Sequence, residues 1–205
     1  MKVQWIFLIF CLGILALFSS CSKKKAITYY IDNSFKEWVL FQKGSYWVYF
    51  NDSSHMLDSA FVDMQPRYGL SPPETEHMDH YESIYYTVTS SFIRDVYIGR
   101  DPDESYVAIG FFYPKNDVFK ALNSGYTNGS WNGSSSFTSL IEKIDTMILN
   151  YKKFTNVIHT RTNEVIYDSS QYDFYFAKNI GLIKFSAKTN SFDSTWSLMR
   201  WHIIQ

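Results

Sequence analysis

The stretch "SIYYTVTSSFI", residues 83–93, sets Ile84, Tyr86 and Val88 against Tyr85, Thr87 and Thr89. Side chains on a strand point to opposite faces in turn, so this alternation predicts a strand with one buried face. Its neighbours follow suit. "DVYIGRDPDESYVAIGFFYP", residues 95–114, reads as two strands across a polar turn at Asp101–Glu104. Upstream, "SYWVYFND" is apolar on both faces and reads as a strand buried on two sides, with Trp47 and Tyr49 projecting together into the core. "LDSAFVDM" is a further strand candidate. "RYGLSPPETEHMDHYES" reads as a loop, since Pro72-Pro73 excludes regular structure.

Downstream, "ALNSGYTNGSWNGSSSFTS" is the most loop-like stretch, rich in Gly, Ser and Asn. Residues 137–149 fit two periods. Phe137, Leu140, Ile141, Ile144 and Ile148 fall on helical spacing, while Ile144, Thr146 and Ile148 share one side of a strand. With "NYKK" as a turn, a strand pair is the favoured reading. "EVIYDS", "YDFYFAK", "IGLIKFSAK" and "STWSLMRWHII" end the chain as four strand-like runs. "NSFKEWVLFQKG" offers a short helix or an irregular turn, with Ser34 and Glu37 as a capping box and Gly44 as a stop.

Aromatics make up 19% of the 205 residues, and such side chains favour pleated surfaces. Nine or ten strand-like runs and no Gly-rich βαβ pattern predict an all-β fold. The expected form is a single antiparallel, strongly curved sheet closing into a barrel or half-barrel, with at most one or two short helices; a β-sandwich is the alternative.

The N-terminus reads differently. Lys2 precedes an apolar run from Trp5 to Phe18, the length of a signal-peptide core and short of the ~20 residues that a spanning helix needs. Phe18-Ser19-Ser20-Cys21 follows, then Lys23–Lys25. This order resembles the bacterial lipoprotein signal, in which the cysteine receives diacylglycerol and becomes the new N-terminus. An ordinary secretory signal and an uncleaved anchor are the alternatives. The chain has two cysteines, and cleavage before Cys21 would remove Cys11. One thiol then remains, so no internal disulfide forms and acylation gives Cys21 a use. The expected layout is a signal peptide over residues 1–20, a lipidated tether over 21–33 and a single β-rich domain over 34–205.

"FQKGSYWVYFND…LDSAFV", "FTNVIH" and "YFAKNIGLIKF" together resemble a pattern found in uncharacterised lipoproteins of Bacteroidota. The match runs in order from Phe41 to Phe185. It implies the lipid anchor and a β-rich body, and it brings no catalytic or binding residues. Ser22 is not the aspartate that retains lipoproteins in the inner membrane, and lysines rather than acids follow the cysteine. The resemblance therefore implies the outer membrane, at its periplasmic face, with the cell surface as alternative. In their own right, Gly44 and Gly181 offer φ > 0 at strand entries, and Asn156 suits a turn or bulge.

No constellation for catalysis emerges. "ETEHMDH" sets His77 and His80 among Glu74, Glu76, Asp79 and Glu82. His-x-x-His is a zinc spacing, yet the segment follows Pro-Pro and lacks an anchored third ligand, so a solvated acidic loop is preferred. "DPDES" from Asp101 has Tyr106 where a calcium loop needs glycine. No Gly-x-Ser-x-Gly elbow, phosphate loop or dinucleotide fingerprint occurs. Trp131, near Tyr126 in a polar loop, invites a stacking role, but a plug on the core is preferred. Trp38, Trp47, Trp196 and Trp201 are expected in the core, and His159 and His202 as satisfied structural residues. The net charge of −1 argues against nucleic acid as a partner. What remains is a lipid-anchored envelope protein without catalytic, metal or cofactor residues. It would bind an apolar or glycan ligand or an envelope partner; the alternative is a hydrolase acting on envelope glycans or lipids.

Overall fold

A computed structural model describes residues 26–70, 79–100, 102, 105–111, 117–123, 129–130, 136–164, 170–189 and 193–205. Among these the chain forms fourteen strands and one helix. Helix α1 spans Asn33–Val39. The strands are β1 (Thr28–Tyr29), β2 (Tyr46–Asn51), β3 (Leu57–Val62), β4 (Arg67–Leu70), β5 (His80–Thr89), β6 (Ile93–Arg100) and β7 (Ser105–Phe111). β8 (Asp117–Asn123), β9 (Gly129–Ser130), β10 (Ser136–Leu149), β11 (Lys152–Glu164), β12 (Gln171–Ala177), β13 (Gly181–Lys188) and β14 (Asp193–His202) complete the set.

The sheet order is β8-β7-β6-β5-β3-β2-β14-β13-β12-β11-β10-β9, with β1 and β4 both paired to β5. Every pairing is antiparallel except β1 with β5. This is the expected all-β, curled half-barrel. β2 and the last strand, β14, meet in the middle of the sheet, where Trp201 pairs with Trp47. Curvature comes from bulges, which bend the strand that carries the extra residue. The register shifts leave Arg94, Ala121, Ile141, Ile183 and Met199 as those residues. The curl brings β8 against β11: the Thr160 hydroxyl donates to the Ala121 carbonyl. Ala121 is the extra residue of its bulge, so this contact joins the bulge to the facing strand.

The concave side holds one continuous core. Ile84, Tyr86 and Val88 are buried, as the alternation predicts, while Tyr85 and Thr89 are exposed. Phe92 stacks on Trp196 with centroids 4.5 Å apart, and Phe174 and Phe185 pack at 5.3 Å. Trp47 and Trp196 are buried, whereas Trp38 and Trp201 are only partly so.

Residues 137–149 are strand, paired with β11 across the two-residue turn Asn150–Tyr151. Several expectations need correcting. The tether expected over 21–33 is part of the sheet assembly from Ile27 onward: Thr28 and Tyr29 pair with His80 and Tyr81, and Ile31 is buried. A short apolar segment gains more against β5 than in water. The loop expected over residues 67–83 contains β4 and the start of β5; β4 is exposed throughout, so it carries no alternation to detect. The capping box at Ser34 does not form. The helix is capped by Asp32, whose carbonyl accepts from Phe35 and Lys36, and it stops at Val39, before Gly44. The Asp32 side chain pairs with Arg100 at 2.9 Å, which fixes where the helix begins.

Of the expected "EVIYDS" strand, Glu164 ends β11 and the rest lies outside the described residues, as do Cys21, His77, Tyr126 and Trp131. The runs legible as strands cover most of the longer members of the sheet, but β8 is not among them, and the stretch 121–139, expected as loop, contains the end of β8, β9 and the start of β10. β1, β4 and β9 have two to four residues, too few for a pattern.

Candidate functional site: an apolar cavity beneath the helix

α1 lies across the open end of the curled sheet. Phe35 and Val39 face inward. Adjacent residues in its middle tie it to two different parts of the sheet: Lys36 to Glu82 of β5 at 3.1 Å, and the Glu37 carbonyl to the Asn179 amide in the β12–β13 turn at 2.9 Å. Between helix and sheet is a small cavity of about 40 Å³ that opens to the outside. Trp38, Val39 and Phe41 form its roof. Trp47, Tyr49, Tyr86, Val107, Phe176 and Leu182 are among the residues of its walls. Every lining residue is buried except Trp38, so the opening lies beside that ring.

The lining contains four side chains with polar atoms: the indole of half-buried Trp38, and three that are each spent on a backbone carbonyl. Trp47 Nε1 donates to Ile180 at 2.6 Å, the Tyr49 hydroxyl to Leu182 at 2.7 Å and the Tyr86 hydroxyl to Val39 at 2.6 Å. Burial holds both phenols well above their usual pKa, so they stay neutral. Apart from the Trp38 indole N–H at its half-buried edge, the cavity therefore offers carbon surface and ring faces, and no charge. Such a site suits a small apolar molecule and not a sugar, whose hydroxyls would go unsatisfied.

A second cluster lies on the opposite face of β10–β12. His159 Nε2 meets Asp173 Oδ1 at 2.7 Å, and its Nδ1 meets Glu142 Oε1 at 3.2 Å. Arg161 Nε and Gln171 Nε2 also donate to Asp173, each at 2.8 Å. Burial alone would raise the Asp173 carboxyl; the hydrogen bonds from His159, Arg161 and Gln171 outweigh it and lower it to about 2. His159 is 4% exposed, and Tyr175 stacks on its ring at 4.1 Å. With both ring nitrogens engaged, it is the satisfied structural histidine expected. His202 is exposed and lies against Tyr46 with centroids 5.8 Å apart.

The described members of "ETEHMDH" are occupied in holding the N-terminal segment. Asp79 accepts from the Ile27 amide at 2.9 Å, the His80 amide donates to Ile27 O at 2.8 Å, and Glu82 accepts from Ile31 and Lys36. Among the described residues no group of three or more His, Cys, Asp or Glu side chains converges to hold a metal ion. Asp101 lies outside them, while its neighbour Arg100 contacts Asp32 and Ser105. The cavity itself left no mark in the sequence. Its residues look like ordinary core, and only the curl of the sheet leaves space between them.

No protein-family model matches the chain, and no curated protein matches it. Among solved structures, the chain is similar to a "putative lipoprotein" from Parabacteroides distasonis ATCC 8503. The two are 12% identical; the match covers 78% of this chain and 96% of that one, with a TM-score of 0.36. So remote and loose a likeness carries no argument.

Proposed function

We propose that the chain is a lipid-anchored envelope protein, acylated at Cys21, that holds a small apolar molecule beneath α1 and performs no catalysis. The observation that carries this reading is the cavity, whose fully buried polar side chains, Trp47, Tyr49 and Tyr86, are all engaged with backbone and whose opening is beside Trp38. The anchor rests on the order of apolar run, small residues and cysteine at the N-terminus. By the same signal the outer membrane, at its periplasmic face, is the proposed location. A hydrolase would need an acid or base facing a cleft; in the Glu142–His159–Asp173 cluster both ring nitrogens are taken up by carboxylates, which favours the binding role.

The test is native mass spectrometry of the detergent-extracted protein. An apolar adduct is expected in the wild type and absent from Ala60→Phe, whose ring would enter the cavity. Equal adduct-free spectra for both proteins would end the binding reading. Membrane fractionation of Cys21→Ser tests the anchor separately, and unchanged lipid modification would refute it.

A further inference from the structure

Strand direction and register place several features on one end of the sheet. This end carries the start of β2, the end of β3, the start of β5, the end of β10, the start of β11 and the end of β14. The described chain enters there through Ile27, tied to the start of β5. α1 and the Trp38 side of the cavity lie there too, joined to the β12–β13 turn and, through the Gln42 amide, to Ile204.

The β10–β11 hairpin projects at this end. β11 begins at Lys152, but its pairing with β12 begins only at Val157. At the tip, Asn150 and Tyr151 have φ of 49° and 63°. Two residues at positive φ match the right-handed twist of a hairpin, and Gly is the favoured occupant of the second position. Tyr151 sits there instead, fully exposed, so its ring contributes no packing to the fold. Ile148 beside it is 71% exposed, and Lys152 and Lys153 follow, both exposed, with Lys152 over the Trp201 ring at 4.8 Å. Of the acids at this end, Glu37 is paired with Lys178 at 2.7 Å and Glu82 with Lys36 at 3.1 Å, while Asp79 accepts from the Ile27 amide and Asp63 from the Thr87 and Thr89 hydroxyls. Asp145 lies further back on β10.

We infer that this end docks on an anionic bilayer, with Tyr151 and Ile148 entering the headgroup layer and Lys152 and Lys153 on its phosphates. An amphipathic ring is stabilised at that depth, and a lysine near such a surface contributes about 1 kcal/mol. The separation of six residues between Cys21 and Ile27 keeps this end within roughly 20 Å of an anchored cysteine. Resting on the reading above, the inference adds a route: an apolar molecule would pass between bilayer and cavity beside Trp38 without crossing water.

The test uses the full, acylated chain in vesicles of phosphatidylethanolamine and phosphatidylglycerol, compared with phosphatidylcholine. An environment-sensitive fluorophore is placed at Thr146→Cys, on the face of Ile148, or at Ser54→Cys, in the turn at the opposite end. Quenching by nitroxide lipids is expected for the first probe only, and mainly in the anionic vesicles. Lys152→Ala and Lys153→Ala should each lower the docked fraction's equilibrium by about fivefold, while flotation with the vesicles stays unchanged. Tyr151→Gly should keep or raise the melting temperature and still reduce quenching. An unquenched Thr146 probe on protein that floats would overturn the docking and leave the anchor standing. Protein that does not float would overturn both.

Discussion

Gly181 has φ 91°, and a Cβ there would stand 2.8 Å from Phe41 in the cavity roof. Gly181→Ala should therefore cost about 1–3 kcal/mol in chemical denaturation. The need for a glycine at this strand entry was legible in the sequence; the closeness of Phe41, from a segment 140 residues away in the chain, was not. Asp173 makes the same point with charge. Its carboxyl is lowered from 3.8 to about 2 in the folded state, so its stabilisation is present above the unfolded value. That contribution is lost as pH falls from about 4 to 2. Asp173→Asn should flatten this acid limb in a series of denaturation curves, and at neutral pH should cost about 2–3 kcal/mol, a range suited to hydrogen bonds with charged groups. No sequence signal marks Asp173, because its partners His159 and Arg161 come beside it only through the β11–β12 register.

At the scale of elements, the β10–β11 hairpin shows how an ambiguous period is resolved. Ile144 and Ile148 suit a helix or a strand equally, and pairing with Val157 and Lys153 decides for strand. Asn156, read as a turn or bulge residue, has φ 53° within β11, an irregularity in an otherwise extended strand. The β8 bulge has a consequence across the curled sheet. Thr160→Val removes the donor to the Ala121 carbonyl while keeping the volume, and should destabilise by about 0.5–1.5 kcal/mol, the net worth of one hydrogen bond. Thermal unfolding followed by circular dichroism measures it. A change under a few tenths of a kcal/mol would mean that this contact does not help to hold the curl.

For the whole molecule, α1 acts as the lid of a bowl. Tyr86→Phe frees the Val39 carbonyl at the helix end and should loosen the lid by about 1–2 kcal/mol. Acrylamide quenching of tryptophan fluorescence should rise, since Trp38 sits on that helix; unchanged quenching with lowered stability would place the effect elsewhere. The pairing of β14 with β2 joins chain segments some 150 residues apart, which makes refolding slow, on the order of milliseconds to seconds.

Alternation of side chains identified most of the longer strands, because which face of a strand a residue occupies is a local property of the backbone. The N-terminal apolar run and Cys21 likewise needed no fold to be noticed. The direction of curl, the empty space under α1, the engagement of Tyr49 and Tyr86, and the gathering of Ile27, Trp38 and Tyr151 at one end were decided by tertiary structure. Each depends on bulges and registers between segments far apart in the chain, and no local pattern encodes those.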